Sequence, residues 1–148
     1  MTPSIQNERG SAMMMALGAL TVLAVIALVA LAVVINEKRT AQSDYSGARS
    51  FYSADAASEA GVHWIRHQYT PPAVVDSVRH VRVTTNYTAM NASNGYRFDV
   101  TYVRKRYRPG WSTEYKDYEY TVDAVGASAQ QSESDIELKA TRLYREGY

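Results

Sequence analysis

The hydrophobic and polar positions divide the chain into an apolar segment, a segment with helical spacing and a segment of alternating residues. The apolar segment extends from Ser11 to Ile35 and contains no charged side chain over 25 residues. At the standard rise, a helix of this length is roughly 37 Å long and exceeds the roughly 30 Å hydrocarbon core of a bilayer. The pattern therefore predicts a helix that can span a membrane.

The flanks of the apolar segment help to distinguish an anchor from a cleaved secretory signal. A secretory signal has an apolar core of about 7 to 15 residues, followed by small residues at its cleavage site. This segment is longer and continues into the polar sequence NEKRT. Arg9 precedes it, and Lys38 and Arg39 follow it, so flanking charge does not favour a cytoplasmic amino terminus. We expect a membrane helix whose orientation is left open by its flanking charges.

Helical spacing continues beyond the apolar segment. No proline occurs from Thr40 to Tyr69, whereas the sequence TPP that follows is incompatible with a continuing helix. A stripe with spacings of three and four is expected to face a core and consists of Phe51, Ala54, Ser58, Val62, Ile65 and Tyr69. We therefore predict one helix from about Ser11 to Tyr69, on the order of 90 Å long.

After the prolines the period changes to two, which is typical of strands with one buried face. Four strands are predicted, in SVRHVRVTTNYTA, GYRFDVTYVRKRYR, YEYTVDAV and DIELKATRLY. Turn residues occur at Asn91–Gly95 and Arg108–Trp111, and a polar loop at Gly126–Ser134 precedes the last strand. The predicted fold is α+β, with the outer half of the long amino-terminal helix packed on a four-stranded antiparallel sheet.

Composition and motifs give little support for catalysis or for a bound metal. The chain has 148 residues, a formal net charge of +1 and no cysteine, and it contains neither a nucleophile elbow nor a glycine-rich phosphate loop. His63 and His67 have a spacing that can hold zinc, but no third ligand is evident. Glu133, Asp135 and Glu137 lack the spacing of a calcium loop. We expect no catalytic site, no metal and no cofactor.

The sequence YVRKRYRPGW is the best candidate for a binding site. It combines four basic residues with aromatic ones: Arg104, Lys105, Arg106, Arg108, Tyr102, Tyr107 and Trp111. Cations contact phosphates and aromatic rings stack on bases, so DNA is one predicted partner. A basic strand edge that discourages sheet-to-sheet pairing explains the same residues and agrees better with the near-neutral chain. Nucleic acid is therefore the less favoured partner.

The leader and the helix together resemble a known protein family. The sequence NERG resembles the prepilin-peptidase site of type IV pilins, in which a short hydrophilic leader ends in glycine, and cleavage would fall between Gly10 and Ser11. The sequence RSFYSADAASEAGVHWI, which follows the apolar segment, is similar to the corresponding region of PilX-type minor pilins. The resemblance covers about residues 7 to 66 and implies a structural subunit that helps initiate pilus assembly or forms part of the tip complex.

The resemblance also implies a domain organisation, with a leader at 1–10, a transmembrane or filament-core half of the helix at 11–35, an outer half at 36–69 and a head domain at 73–148. The implied location is the bacterial inner membrane with the head outside the cytoplasm, and then the extracellular pilus. The implied partners are major and minor pilins, the inner-membrane assembly platform, prepilin peptidase and, before assembly, membrane lipid. Contacts with lipid and with other pilin helices would involve Met13, Met14, Met15, Leu17, Leu20, Leu23, Ile26, Leu28 and Leu31.

Two residues depart from the pilin pattern. Most major pilins carry a glutamate five residues after the cleavage point, where it pairs with a neighbour's terminal amine, and the matching residue here is Met15. Because burying an unpaired charge is costly, this departure implies a tip position or a minor stoichiometry. Ser11 also differs from the phenylalanine or methionine that usually begins the mature chain.

Competing hypotheses are a tip-type pseudopilin of a type II secretion system and a single-pass membrane protein with an extracytoplasmic binding head.

Overall fold

The computed structural model describes residues 5–129 and 131–146, which form one long apolar amino-terminal helix and an antiparallel sheet. The helix, α1, spans Ile5–His67. The strands are β1 (His80–Arg82), β2 (Thr88–Asn91), β3 (Asn94–Tyr107), β4 (Tyr115–Ser128) and β5 (Glu133–Arg145). The α+β class and the packing of a long helix on an antiparallel sheet are confirmed. The helix begins earlier than the predicted Ser11 and ends two residues before the predicted Tyr69.

The chain divides into two compact units, at 1–43 and 44–148, and α1 contributes residues to both. In the first unit, residues 11–35 of α1 are apolar around the whole circumference of the helix, and their large side chains are exposed. A helix of this kind is either buried in protein or spans a membrane. α1 is long enough and apolar enough to cross a membrane.

The sheet has a long regular edge and a short irregular edge. The strand order is β1-β3-β4-β5, and β2 also pairs with β3. The register of β4 and β5 is unbroken from Tyr115↔Arg145 to Ala127↔Glu133. β3 contains one bulge, between Tyr102 and Arg104, and the pairings of β1 and β2 with β3 both shift in register.

The prediction of four strands was wrong, because SVRHVRVTTNYTA forms two short strands rather than one. Between these two strands, Thr84 bonds to β3 through hydrogen bonds that involve side chains, in place of regular backbone-to-backbone pairing. Its backbone N–H donates to Oδ1 of Asp99 at 2.6 Å, and its Oγ1 donates to the Phe98 carbonyl at 2.5 Å. Such local bonds compete with regular strand pairing. The two turns are confirmed, and Gly110 in the second has a φ of 79°, a conformation that favours glycine.

The alternation in the three long strands is confirmed. Phe98 and Val100 of β3 and Tyr120 and Val122 of β4 are buried on the face that α1 covers, and they belong to one core cluster with Ala57 and Ile65 of the helix. Their neighbours in sequence point to the opposite, open face of the sheet.

The outer half of α1 contacts the sheet mainly through small residues. The buried helix residues are Ser46, Ser50, Ser53, Ala54, Ala57, Ser58, Gly61 and Ile65. The assignment of Phe51 and Tyr69 to the buried stripe was wrong, because their exposed fractions are 54% and 99%. Phe51 lies on another side of the helix, and Tyr69 lies beyond its end. Small side chains favour a close approach of the two backbones, which large ones would prevent.

Candidate functional site

The predicted contact residues of the apolar segment form an exposed helical surface. Met13, Met14, Met15, Leu17, Leu20, Leu23, Ile26, Leu28 and Leu31 are all exposed, by 56 to 77% of their surface. The hydroxyl of Thr21 donates to the carbonyl of Gly18 at 2.8 Å, so this polar group is satisfied within the helix. Internal satisfaction of polar groups is what a lipid environment requires. The surface is therefore suited to contact with lipid or with other apolar helices.

Gly10 and Ser11, the predicted processing site, lie in α1 and are both exposed. A Cβ atom on Gly10 would meet nothing within 4 Å. Residues 1–4 of the predicted leader lie outside the described residues. Cleavage between Gly10 and Ser11 stays a prediction.

A second exposed surface lies on the outer half of α1 and consists of Tyr45, Arg49, Phe51 and Tyr52. The side chain of Arg49 donates to the hydroxyl of Tyr45 at 2.5 Å, and its guanidinium lies 4.3 Å from the centre of the Tyr45 ring. The rings of Phe51 and Tyr52 meet edge to face at 6.1 Å. Sequence reasoning missed this surface because it assigned Phe51 to the core. The seven-residue spacing of Tyr45 and Tyr52, two helical turns, was the available signal.

The basic residues predicted as a nucleic-acid contact lie together at the β3–β4 hairpin, but each has a carboxylate partner. Arg104 and Arg106 both pair with Glu119. Lys105 lies 3.2 Å from Glu146, and Arg108 lies 3.8 Å from Asp117. Trp111 is exposed, and its ring centre is 5.2 Å from the Arg108 guanidinium. Paired carboxylates reduce the positive potential on which binding to phosphates depends. Contact with nucleic acid stays a prediction.

Glu146, which follows β5, contacts residues beside the turn of the same hairpin. Lys116, Tyr118 and Lys105 all donate to its carboxylate, with Tyr118 at 2.7 Å. The hydrogen bonds from Lys116 and then Tyr118 hold the pKa of Glu146 at about 2. Burial, followed by the hydrogen bond to Glu146, raises the pKa of Tyr118 to about 12. This cluster therefore stabilises the hairpin at neutral pH.

A row of carboxylates crosses the open face of the sheet. Asp99 of β3 pairs in register with Asp123 of β4, which pairs in register with Glu137 of β5. Burial, followed by the charges of Glu137 and Asp99, raises the pKa of Asp123. Among the described residues, no group of three or more His, Cys, Asp or Glu side chains has an arrangement that could hold a metal ion. The row therefore places like charges side by side across the three long strands.

The two helix histidines contact each other near the end of α1. The rings of His63 and His67 stack with their centres 4.0 Å apart, and Nδ1 of His67 lies 2.8 Å from the carbonyl oxygen of His63. The His67 ring therefore caps a backbone carbonyl in the last turn of the helix.

A groove lies between α1 and β5, with a volume of about 420 Å³. Val62 and Ile65 form its helix wall, and Leu138 and Ala140 form its strand wall. Arg142 donates to the Ile65 carbonyl across the groove. This groove was not anticipated from the sequence, because it depends on where the helix lies relative to the edge strand.

Comparisons with known proteins provide no family assignment. No protein family, curated protein or solved structure matches this chain.

Proposed function

We propose that the chain is a minor pilin of a type IV pilus, of the PilX type, and that it acts as a structural subunit that helps initiate pilus assembly or forms part of the tip complex. The observation that carries the proposal is α1, a single helix whose first half exposes apolar residues and whose last turns pack on a sheet. Such a helix serves as a membrane anchor and, after extraction from lipid, as a packing surface for other helices.

The composition of the apolar half supports both roles. Large side chains provide apolar surface all round, and small residues at intervals allow helices to approach closely. The small residues include Ala16, Gly18, Ala19, Ala24, Ala27, Ala30 and Ala32. A Cβ atom on Gly18 would meet nothing within 4 Å, so this position is open to a neighbouring helix.

A tip position or a low copy number is favoured by the absence of a carboxylate near the proposed mature terminus. Met15 is exposed, and no acidic residue occurs from Ser11 to Ala16. A subunit in the shaft would leave a neighbour's terminal ammonium without a counter-charge in an apolar environment, which is strongly unfavourable.

Two other functions are compatible with the same architecture. A tip-type pseudopilin of a type II secretion system would use the same leader and helix. The neighbouring genes and the phenotype of a gene deletion distinguish such a pseudopilin from a pilin. A single-pass membrane protein with an extracytoplasmic binding head requires the helix but does not require cleavage between Gly10 and Ser11.

The decisive experiment is determination of the protein's amino terminus by mass spectrometry, in cells with and without their prepilin peptidase. We expect a chain that begins at Ser11 only when the peptidase is present. The variant Gly10→Val should remain unprocessed, whereas the matched variant Gly18→Val, within the apolar segment, should be processed normally. A chain that begins at Met1 or Thr2 in every strain would contradict the pilin proposal and favour a single-pass membrane protein that is not processed.

A second experiment separates the two filament systems. Deletion of the gene should reduce surface pili and leave type II secretion intact if the chain is a minor pilin. Normal piliation with defective secretion would assign it to the secretion system.

A further inference from the structure

A small depression lies where β2, β3 and β4 meet beside the β2–β3 turn. Ala89 pairs in register with Gly95, and Gly95 pairs in register with Ala127. Residues in register on neighbouring strands project their side chains to the same face of a sheet. This row therefore places two methyl groups and a glycine side by side, and a cavity of about 240 Å³ lies there. Pockets for drug-sized ligands occupy roughly 300 to 1,000 Å³, so this cavity suits one small ring.

Tyr87 forms one wall of the depression and is held there by its contacts. Its hydroxyl donates to the carboxylate of Glu133, and the Arg97 guanidinium lies 5.4 Å from the centre of its ring. A Cβ atom on Gly95 would lie 3.2 Å from the Cβ atom of Tyr87, so a side chain at residue 95 would press on the base of this wall. Tyr87 is nevertheless 44% exposed. A ring that is both accessible and held in place binds a ligand at a low cost in conformational entropy.

The other lining residues beside the row are polar or small, and they are Asn91, Ala92, Ser93, Asn94 and Ser128. The side-chain carbonyl of Asn91 accepts the backbone N–H groups of Ser93 and Asn94, each at 2.9 Å. Within the described part of the chain, the amide nitrogen of Asn91 has no partner, and the buried Oδ1 of Asn94 has no donor. A free donor and a free acceptor therefore belong to residues that line the cavity.

The lining specifies the chemistry of a ligand. None of the nine lining residues is charged, whereas Glu59 and Arg142 line the groove beside β5. A charged ligand would find no counter-charge in this lining. Amides and hydroxyl groups pair well with ligand hydroxyls, which both donate and accept. The Tyr87 ring and the alanine methyl groups provide an apolar surface. A ring with an apolar face and a hydroxyl-bearing edge satisfies both requirements, and a neutral pyranose has this structure.

We propose that this depression binds one neutral pyranose unit of a glycan. The Tyr87 ring packs against the C–H face of the sugar, and the side chains of Asn91 and Asn94 bond to its hydroxyl groups. The cavity is shallow and open to solvent, so neighbouring sugar units can extend beyond it. We expect a dissociation constant on the order of 1 mM for a single unit. The site lies entirely within residues 44–148 and does not depend on the pilin proposal, so either proposal can fail without the other.

The test uses the full chain, isotopically labelled at nitrogen, in micelles of a detergent without a sugar headgroup. The probes are the methyl glycosides of glucose, galactose, mannose and N-acetylglucosamine, and the methyl glycoside of glucuronic acid is the charged control. We expect at least one neutral glycoside at about 10 mM to shift the side-chain amide resonances of Asn91 and Asn94 in nuclear magnetic resonance spectra. The resonance of Asn86, which is exposed and lies outside the cavity, should not shift. The glucuronide should bind at least about fivefold more weakly than the best neutral glycoside.

Substitutions assign the binding to this cavity. Tyr87→Ala removes the ring and should weaken binding of the best glycoside by at least about fivefold. Asn94→Ala should weaken it by about fivefold through the loss of hydrogen bonds to the sugar. The matched variant Asn86→Ala should bind as the wild type does. Near-ultraviolet circular dichroism establishes that each variant keeps its fold, and the resonance shifts in the wild-type chain locate the site without any substitution.

Three results would each overturn the proposal. They are no shift with any neutral glycoside at about 10 mM, equal binding of the glucuronide and the best neutral glycoside, and shifts that spare Asn91 or Asn94. The uncharged dipeptide acetyl-serylglycine amide represents the competing class of ligand. If this peptide shifts the same resonances and no glycoside does, the cavity is a peptide site and the saccharide proposal is wrong.

Discussion

A Cβ atom on Gly61 would lie 2.4 Å from Cγ1 of Val122. The helix and the central strand β4 therefore meet where the helix carries no side chain. The same close approach occurs at Gly126 of β4, where a Cβ atom would lie 2.2 Å from the carbonyl oxygen of Ser50. Glycine on both elements allows the two backbones to approach each other closely.

Gly61→Ala should destabilise the head by about 2 kcal/mol, because the added methyl group cannot be accommodated without displacing Val122. The matched variant is Gly47→Ala, since Gly47 lies in the same helix with nothing within 4 Å of its would-be Cβ atom. That substitution should stabilise the helix by about 0.5 to 1 kcal/mol. Thermal unfolding of the full chain in detergent, followed by near-ultraviolet circular dichroism, measures both. Effects of the same sign would contradict the close contact.

Ser50→Ala should cost about 1 to 2 kcal/mol of stability. The Ser50 hydroxyl is fully buried, donates to the Gly47 carbonyl at 2.9 Å, and lies 2.7 Å from the hydroxyl oxygen of Ser134. Its removal leaves the Ser134 hydroxyl with one fewer partner beside the helix. Ser43→Ala, at an exposed position of the same helix, is the control and should change stability by less than about 0.5 kcal/mol. Chemical denaturation of both variants provides the comparison.

The hydrogen bonds from Lys116 and Tyr118 to Glu146 should make stability depend on pH. Because the folded-state pKa of Glu146 is about 2, below the ordinary value of 4.5, its carboxylate favours the folded state above about pH 4.5. That contribution is lost as the pH falls from about 4.5 to about 2. Glu146→Gln should lower the melting temperature at pH 7, and the difference from wild type should shrink to near zero at pH 2. A difference that is constant with pH would exclude this origin.

Asp123→Asn should have the opposite effect and slightly raise the melting temperature at pH 7. Burial, followed by the charges of Glu137 and Asp99, raises the pKa of Asp123, so its ionised form opposes folding at neutral pH. As the pH falls through the raised folded-state pKa toward 3.8, wild-type Asp123 becomes protonated and the advantage of asparagine disappears. Asp55→Asn, on the exposed side of α1, is the control that removes one carboxylate away from the sheet. An equal gain in both variants would show a general effect of net charge.

The carboxylate partners of the basic hairpin should suppress binding to DNA. We expect the full chain to produce no gel shift at about 100 mM salt. Glu119→Gln frees Arg104 and Arg106 from their shared partner and should introduce weak, salt-sensitive binding. Glu114→Gln, which removes a carboxylate 3.0 Å from Arg145, is the matched control. A wild-type complex that persists at about 200 mM salt, and that Arg104→Ala weakens, would instead support the DNA-binding hypothesis.

The sequence predicted those features that depend on local periodicity. The apolar run and the absence of proline up to Tyr69 predicted a long helix, and the alternation around Phe98, Val100, Tyr120 and Val122 predicted the buried face of the sheet. Both patterns have a period fixed by backbone geometry, so neighbouring residues suffice to identify them. The turn at Gly110 was identified from local composition, because proline and glycine supply the backbone angles that a turn requires.

Features that depend on distant pairing could not be predicted in the same way. Phe51 was assigned to the core because large apolar residues usually line a contact, whereas the actual contact requires small residues because two backbones approach at Gly61 and Gly126. The carboxylate partner of Arg104 and Arg106 could not be assigned from the sequence, because Glu119 lies in the next strand at a position that only the register reveals. The groove beside β5 depends on the placement of the helix, which no local pattern encodes.

The bulge in β3 has a consequence for the loss of single residues from the chain. Tyr102 faces Tyr120 and Arg104 faces Glu119, so Val103 is the residue that the ladder leaves without a partner. Deletion of one residue from a regular strand usually moves every side chain on one side of the deletion to the opposite face of the sheet. A deletion of Val103 would instead close the bulge and leave each remaining residue of β3 opposite its present partner. This position is therefore where β3 can become shorter in the course of evolution while its buried and open faces stay the same.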